Sequence, residues 1–375
     1  MTKVRTWVGL DVHAAKTVAC VVDAESGEMT VHRLRGEADA VVSLCVGLPG
    51  PARVAYEAGP TGFGLARGLL AVRIGCVVAA PGKIERPAQD RIKTDVRDAE
   101  RLVRLLMIDG LHPVRVPSGE EEALRDLVRA REDLRGDLMR ARHRLGKLLL
   151  RHDVRYHGEG DNWTHRHRDW LSKVRLPEPG AQATLLDYLG AIDALIIRRD
   201  QVEATITELV PTSPWAQDIA RLRCLRGIET LTAVGLCSEI GDFHRFDRPS
   251  RLMSYLGLVP SELSTGDRRR QGQITRSGSQ HARRLLVEAA WHYRRPPRLG
   301  TKLEHRQQGQ PAAVIATAWK AQQRLHRPWR QLDRPSKRRT IAAVAVARHL
   351  AGFCSAITTR TDPTTRPNQP PTTLD

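Results

Sequence analysis

Residues 6–34 read TWVGLDVHAAKTVACVVDAESGEMTVHRL, and this stretch decides the fold of the first part of the chain. It contains three apolar or β-branched runs, which are Thr6–Asp11, Thr17–Asp23 and Met29–Leu34. Asp, Gly and Ser residues separate the runs, as they do between the strands of a sheet. The stretch therefore predicts three consecutive β-strands.

The sequence that follows alternates between helical and strand patterns. The predicted helices are residues 38–47, Thr61–Val72 and Asp95–Met107, and the predicted strands are Arg53–Glu57 and Ile74–Ala79. Strands followed by alternating helices and strands are typical of an α/β domain with a mixed sheet. We expect this domain to cover residues 1–116.

A long helical region is predicted over residues 117–212. Ser118 and Glu121 form a capping box near its start. Leucines then recur at coiled-coil spacing as far as Leu148, and a second apolar helical pattern covers Ala181–Val210. Two such helices are consistent with an antiparallel coiled-coil arm and equally with ordinary helix packing inside one domain.

The remainder of the chain is predicted to be mainly helical and rich in arginine. We expect a compact domain over residues 213–300 and a helical extension over residues 301–360, with a helix near Thr340–Ile357. Residues 361–375 are rich in Thr and Pro, which predicts a disordered tail. A chain of 375 residues is long enough for several such domains.

The charge balance indicates a polyanionic partner. Sixty Lys and Arg residues against 42 Asp and Glu residues give a net charge of +18 and a pI near 10.4. Nucleic acid is the commonest partner of such a chain. Aromatic residues make up only 4% of the sequence, so base stacking on an aromatic platform is not expected.

Signals of several other protein classes are missing from the sequence. The six cysteines form no C-x-x-C pair, so neither a zinc site nor a disulfide framework is predicted. The N-terminal stretch MTKVRTWVGLDVH is too short and too polar for a signal peptide, and no run of about 18 apolar residues suggests a membrane span. We therefore expect a cytoplasmic protein without a membrane partner.

Four carboxylates occupy positions from which they can converge on one site. Asp11 and Glu57 end two predicted strands, while Asp95 and Asp98 share one face of a predicted helix. Oxygen ligands of this kind suit Mg²⁺ or Mn²⁺, and two such ions can flank a phosphodiester during cleavage. Taken singly, each residue is more often a turn residue, a strand end or a helix cap, so the interpretation depends on the joint pattern.

A second constellation lies in the C-terminal half. Residues 261–267 read SELSTGD and precede a run of three arginines. A hydroxyl beside several guanidiniums is a candidate nucleophile towards a phosphate, although the residue pattern alone favours a solvated turn. The arginines in and after this segment that are suited to phosphate contacts are Arg268, Arg269, Arg270, Arg276, Arg283 and Arg284.

Several segments resemble the DEDD transposases of bacterial insertion sequences, a family that includes the Piv-type DNA invertases. The similar N-terminal segments are residues 8–13 (VGLDVH), 56–62 (YEAGPTG) and 93–99 (KTDVRDA). The similar C-terminal segments are residues 222–233 (LRCLRGIETLTA), 239–246 (EIGDFHRF), 255–260 (YLGLVP) and 274–286 (ITRSGSQHARRLL).

The resemblance implies an RNase H-like fold for the N-terminal domain, similar to that of the RuvC junction resolvase. It implies a metal-binding tetrad made of Asp11, Glu57, Asp95 and Asp98. It also implies that Ser264 is the nucleophile, with Ser261 as the alternative, and that double-stranded DNA is cut and rejoined through a transient phosphoserine bond. An element-encoded guide RNA and a bacterial, nucleoid-associated setting are further implications.

Because recombining two duplexes needs several active sites, we expect a homodimer or homotetramer. One alternative is a junction nuclease that hydrolyses DNA with the tetrad alone, in which Ser264 is a turn residue. The other is a non-catalytic nucleic-acid-binding protein derived from a transposase, and the presence of all four carboxylates argues against it.

Overall fold

The computed structural model describes residues 3–85, 94–265, 268–333 and 338–359. For residues 263–265, 268 and 269 it describes the backbone alone. The expected disordered tail, residues 361–375, lies outside the described residues. The chain divides after Gly119 into two compact units, which we call the N-terminal unit and the C-terminal unit.

In its described residues, the N-terminal unit has a five-stranded mixed sheet and three α-helices, as predicted. Its strands are β1 (Thr6–Val12), β2 (Lys16–Asp23), β3 (Met29–Arg35), β4 (Ala52–Glu57) and β5 (Gly75–Ala79). They lie in the order β3-β2-β1-β4-β5, in which β1, β2 and β3 pair antiparallel and β4 and β5 run parallel to β1. The helices are α1 (Ala38–Gly47), α2 (Gly64–Ala71) and α3 (Asp95–Met107).

Helices cover both faces of this sheet. Val8 and Leu10 of β1 belong to an apolar cluster that includes residues of α1 and α2. On the opposite face, Cys20 of β2 belongs to a cluster with Ala99 and Val103 of α3. Because side chains alternate between faces along a strand, both sets of positions in these strands are apolar. This explains the near-continuous apolar runs in the sequence.

Gly9 allows α3 to lie directly on β1. A Cβ atom added to Gly9 would be 2.2 Å from the carbonyl oxygen of Ala99 and 2.5 Å from the amide nitrogen of Val103. Only glycine permits so close an approach of two backbones. The position of α3 on the sheet therefore depends on this residue.

The C-terminal unit is mainly helical, as predicted. Its helices are α4 (Gly119–Arg151), α5 (His165–Lys173), α6 (Pro179–Leu209), α7 (Ala216–Leu222), α8 (Thr230–Ile240), α9 (Pro249–Tyr255), α10 (Gln280–Ala290), α11 (Thr301–Gln307), α12 (Ala312–Leu332) and α13 (Arg339–Thr358). The three long helices predicted from the sequence correspond to α4, α6 and α13. Helices α8, α10, α12 and α13 supply much of a large apolar core.

Helices α4 and α6 pack against each other in opposite directions. Arg131 in the first half of α4 pairs with Glu203 near the end of α6, with Nη2 2.6 Å from Oε1. Leu145 near the end of α4 shares an apolar cluster with Leu185 near the start of α6. The order of these contacts is antiparallel, and a coiled-coil arm stays a prediction.

One element of the C-terminal unit differs from the sequence-based expectation. The segment 213–300 was expected to be helical with a turn around Ser264, but it contains a hairpin of β6 (Pro260–Thr265) and β7 (Arg268–Ile274). Gly266 and Asp267 between the strands lie outside the described residues. Both strands are short and polar, so they lack the apolar alternation by which a strand is recognised in a sequence.

Two described helical segments, Pro179–Thr212 and Arg339–Thr358, are long and apolar enough to cross a membrane by length and composition alone. This is weak evidence for a span, because core helices satisfy the same test. Helix α13 packs in the core of the C-terminal unit, where Val346 and Leu350 are fully buried. In the other segment, Asp193 forms an ion pair with Arg168 of α5.

Candidate functional site

The sheet register places Asp11 and Glu57 side by side. The parallel strands β1 and β4 have Leu10 opposite Tyr56, so the next residues, Asp11 and Glu57, stand at the same level at the carboxyl ends of the strands. Leu10 and Tyr56 are buried in the cluster of α1 and α2. Because successive side chains point to opposite faces, Asp11 and Glu57 lie on the face that α3 covers.

Helix α3 brings two further carboxylates to this face of the sheet. Thr94 caps the helix, and its hydroxyl accepts a hydrogen bond from the backbone N–H of Arg97. Asp95 and Asp98 therefore occupy the first turn, and the Asp98 residue is only 9% exposed. The four carboxylates of the predicted tetrad thus come from two strand ends and one helix start, as the sequence indicates.

Among the described residues, Asp11, His13 and Asp95 form a group that could hold a metal ion. One ligand atom from each lies within 4.8 Å of the other two. Carboxylate oxygens and an imidazole nitrogen at such distances are able to share a divalent cation. His13 lies outside the predicted tetrad. Its spacing of two residues from Asp11, which puts alternate strand residues on one face, is the signal that points to it.

Basic groups partner Asp11, Asp95 and Asp98. The pairs are His13 Nε2 with Asp11 Oδ2 at 3.2 Å, Lys16 with Asp95, and Arg101 Nη1 with Asp98 Oδ1 at 2.9 Å. Two carboxylates about 4 Å apart repel by roughly 4 kcal/mol at an effective dielectric of 20, so the charges of Lys16 and Arg101 stabilise the cluster. A metal ion bound here would compete with them for the same oxygens.

The protonation of Asp11 reflects this crowding. Burial raises the pKa of Asp11, His13 opposes the rise, and the carboxylates of Asp95 and Asp98 add to it. For Asp95, the hydrogen bond from Lys16 lowers the pKa. Opposite shifts in adjacent carboxylates are common where acids share a functional site.

The candidate nucleophile lies in the β6–β7 hairpin. The backbone of Ser264 in β6 pairs with that of Arg269 in β7. The side chains of Ser264, Arg268 and Arg269 lie outside the part of the chain that the structure describes. Ser261 is exposed on the same strand, and its Oγ would be 2.5 Å from a Cβ added to Gly272.

The remaining predicted phosphate-binding arginines differ in their surroundings. Arg270 and Arg276 are exposed. Arg283 instead donates from Nη1 to the carbonyl oxygens of Leu256 and Gly278, both at 3.1 Å. It therefore fastens the end of α9 to the segment that precedes α10.

Arg284 belongs to an ionic cluster formed by α4, α8 and α10. Its Nη2 is 2.5 Å from Glu132 Oε2, and His281 lies 3.7 Å from Glu132 and 3.6 Å from Glu239. Arg129 pairs with Glu239 at 3.3 Å. Burial alone would raise the pKa of Glu239, but the hydrogen bonds from His281 and Arg129 lower it to about 2. His281 and Arg284 thus hold three helices together.

Comparisons with known proteins agree with these features. A transposase model of the DEDD type, named for IS110, matches residues 8–152, and a model described as the transposase IS116/IS110/IS902 family matches residues 219–302. The chain is 39% identical over 358 residues to "Putative transposase y4qE" of Sinorhizobium fredii, covering 94% of this chain and 88% of the relative. It is 35% identical over 289 residues to the transposase for insertion sequence element IS1533 of Leptospira borgpetersenii, covering 76% and 82%.

These matches span the α/β unit and the helical unit alike. The chain belongs to the IS116/IS110/IS902 family of transposases, which are enzymes that act on DNA. The resemblance found in the sequence motifs is thereby confirmed.

Proposed function

We propose that this transposase cuts and rejoins double-stranded DNA at the ends of an insertion sequence, using a divalent-metal centre at Asp11, Glu57, Asp95 and Asp98. One observation carries the proposal. The register of β1 and β4 and the start of α3 bring these four side chains to one face of the sheet. We assign the RNase H-like, RuvC-like fold to the N-terminal unit, supported by the strand order and by the antiparallel–parallel arrangement.

Each residue of the centre has a part in this proposal. Mg²⁺ or Mn²⁺ bound there would activate the attacking oxygen and stabilise the leaving oxygen of a phosphodiester. The tetrad supplies the hard oxygen ligands that these ions prefer. Lys16 and Arg101 orient Asp95 and Asp98, and His13 is placed to contact the same ion or the substrate.

We further propose that Ser264 supplies the nucleophile, with Ser261 as the alternative. The serine oxygen forms a bond to phosphorus, and the bond from phosphorus to the leaving deoxyribose oxygen breaks. A hydroxyl of the partner strand then attacks the phosphorus of the phosphoserine, and the serine oxygen leaves as a hydroxyl. A new phosphodiester is thus formed without hydrolysis. Arg268, Arg269 and Arg270 adjoin Ser264 in the hairpin sequence and offer charge to the phosphate.

The partners follow from the same proposal. The net charge of +18 suits both DNA and an element-encoded guide RNA. A homodimer or homotetramer would provide the several active sites that recombination needs, and the α4–α6 pair is the candidate interface, with coiled-coil character. The setting would be the bacterial cytoplasm, at the nucleoid.

The metal centre is tested by replacing Asp11 with Asn. Asp11→Asn removes one ligand charge, so we expect strand cleavage to be lost while DNA binding is retained. Asp39→Asn is the matched control, because it makes the same chemical change away from the site. Asp39 is exposed in the first turn of α1. Full cleavage by Asp11→Asn in the presence of EDTA would contradict a metal mechanism.

The nucleophile is tested by trapping the reaction on a suicide DNA substrate. We expect a covalent protein–DNA adduct on Ser264, mapped by peptide mass spectrometry, that Ser264→Ala abolishes. An adduct on Ser261 would move the nucleophile within the same chemistry. Cleaved DNA without an adduct would favour the hydrolytic nuclease, and binding without cleavage would favour the non-catalytic protein.

A further inference from the structure

We propose that a basic cavity in the C-terminal unit binds the phosphate backbone of a single-stranded segment of nucleic acid. The inference rests on the proposed function and names the form of nucleic acid that this unit holds. The cavity has a volume of about 970 Å³, and none of the tetrad residues lines it. Its permanently charged cations are Arg131, Arg135, Arg226, Arg284, Arg298, Lys302 and Arg306.

The basic cavity has more cations than carboxylates that pair with them. Four of the seven cations have carboxylate partners, which are Glu132, Glu203, Glu229 and Glu288. Within the described ranges, no carboxylate forms an ion pair with Arg226, Arg298 or Lys302. Cations that share a concave surface without counterions attract anions strongly. A phosphate group is the anion that the function of this family makes available.

Further hydrogen-bond donors belong to the cavity wall. Thr230, Leu231 and Thr232 line it, and they form the first turn of α8, which has no side-chain cap. The first N–H groups of a helix lack intrahelical partners, and the helix dipole favours an anion there. Arg306 also lines the cavity, and its buried Nε has no hydrogen-bond partner among the described residues. Burial lowers the pKa of Arg306, and the carboxylate of Glu229 opposes that shift.

The size of the cavity favours a single strand over a duplex. A sphere of 970 Å³ is about 12 Å across, which equals the width of the DNA major groove alone. A space of this size suits a displaced strand or a strand end better than a whole duplex. None of the described lining residues is Trp, Tyr or Phe, so contacts to phosphates rather than base stacking would provide the binding.

The test uses the full chain with the double substitution Arg298→Ala and Lys302→Ala. Both residues are exposed, so the fold should be unchanged, and a thermal melt verifies this. Fluorescence anisotropy measures binding of single-stranded DNA, single-stranded RNA and duplex DNA of equal length at several salt concentrations. Single-strand affinity should fall roughly tenfold for the loss of two charged contacts. The slope of log K against log salt should become shallower by about 1.4.

The matched control is Arg327→Ala with Arg330→Ala, which removes the same charge from exposed positions of α12 that do not line the cavity. We expect it to retain single-strand affinity and the cavity variant to retain duplex affinity. An equal loss for DNA and RNA supports backbone recognition, and a loss for one of them identifies that strand as the occupant.

Three results would overturn the proposal: unchanged single-strand affinity, an equal loss for the duplex, or an equal loss in the control. If the cavity variant binds every strand normally while Asp11→Asn still abolishes cleavage, the cavity proposal fails and the proposed function stands.

Discussion

Replacing Gly9 by alanine tests whether the acidic site depends on the close approach of α3 to β1. The added Cβ would lie 2.2 Å from the carbonyl oxygen of Ala99, whereas ordinary contacts begin at 3.4 Å. Helix α3 must therefore move away from the sheet by about 1 Å to restore normal contact distances. Asp95 and Asp98 move with the helix, while the strand-end carboxylates stay with the sheet.

We expect Gly9→Ala to reduce both the stability of the fold and the rate of DNA cleavage. Overpacking of this kind costs about 1–3 kcal/mol of unfolding free energy. A displacement of about 1 Å in catalytic groups costs roughly 100-fold in rate. We therefore expect metal-dependent DNA cleavage to fall about 100-fold, with a higher Mn²⁺ concentration needed for half-maximal rate. Urea unfolding measures the loss of stability, and cleavage assays over a metal titration measure the loss of rate.

Gly47→Ala is the matched control for this substitution. Gly47 is the last residue of α1, and no atom lies within 4 Å of an added Cβ. We expect unchanged cleavage and equal or slightly higher stability, because alanine is the better helix residue. Wild-type cleavage rate and metal dependence in folded Gly9→Ala would refute the reasoning that α3 positions the acids through this contact.

Three further outcomes follow from the structure. At neutral pH, Glu239→Gln should lower the unfolding free energy by about 3 kcal/mol, because the pKa of Glu239 is lowered from 4.5 to about 2. A lowered pKa stabilises the fold above the unfolded value, so in urea titrations this deficit should vanish as the pH falls from 4.5 towards 2. Arg283→Ala should cost about 2 kcal/mol through the lost carbonyl hydrogen bonds, whereas Arg270→Ala at an exposed site should leave the urea midpoint unchanged. If about six phosphates are contacted, log K for DNA should fall with log salt at a slope near −5, and a flat titration would contradict the phosphate contacts.

The N-terminal unit could be predicted closely from its sequence because local signals mark each of its elements. The predicted helix Asp95–Met107 coincides with α3, since Thr94 caps it and acids fill its first turn. The three predicted strands in residues 6–34 likewise correspond to β1, β2 and β3. The positions of Asp11 and Glu57 at strand ends follow from these bounds, and the sheet register then places them together.

In the C-terminal unit, local sequence signals fail to predict several features. The β6–β7 hairpin has polar strands, so its sequence favours a turn in a helical segment. Arginine is a residue type that commonly contacts phosphates, yet the guanidinium of Arg283 donates hydrogen bonds to backbone carbonyls. The cavity cations Arg131 and Lys302 lie on α4 and α11, and no spacing in the sequence connects them. The sequence shows which residues are basic, but contacts with residues distant in the chain determine whether a basic side chain is structural or available to a phosphate.

The basic chain as a whole attracts a DNA substrate, whereas the acidic site repels it. A net charge of +18 draws DNA to the protein at long range, but four carboxylates on one face repel a phosphate locally. Lys16 and Arg101 offset part of that negative charge. Bound divalent cations would reverse the sign of the site, so metal and phosphate would each favour the binding of the other. If the proposed metal centre is correct, we therefore expect the acidic face to bind a scissile phosphate only after divalent cations have bound, which cleavage assays started by adding metal or DNA last would test.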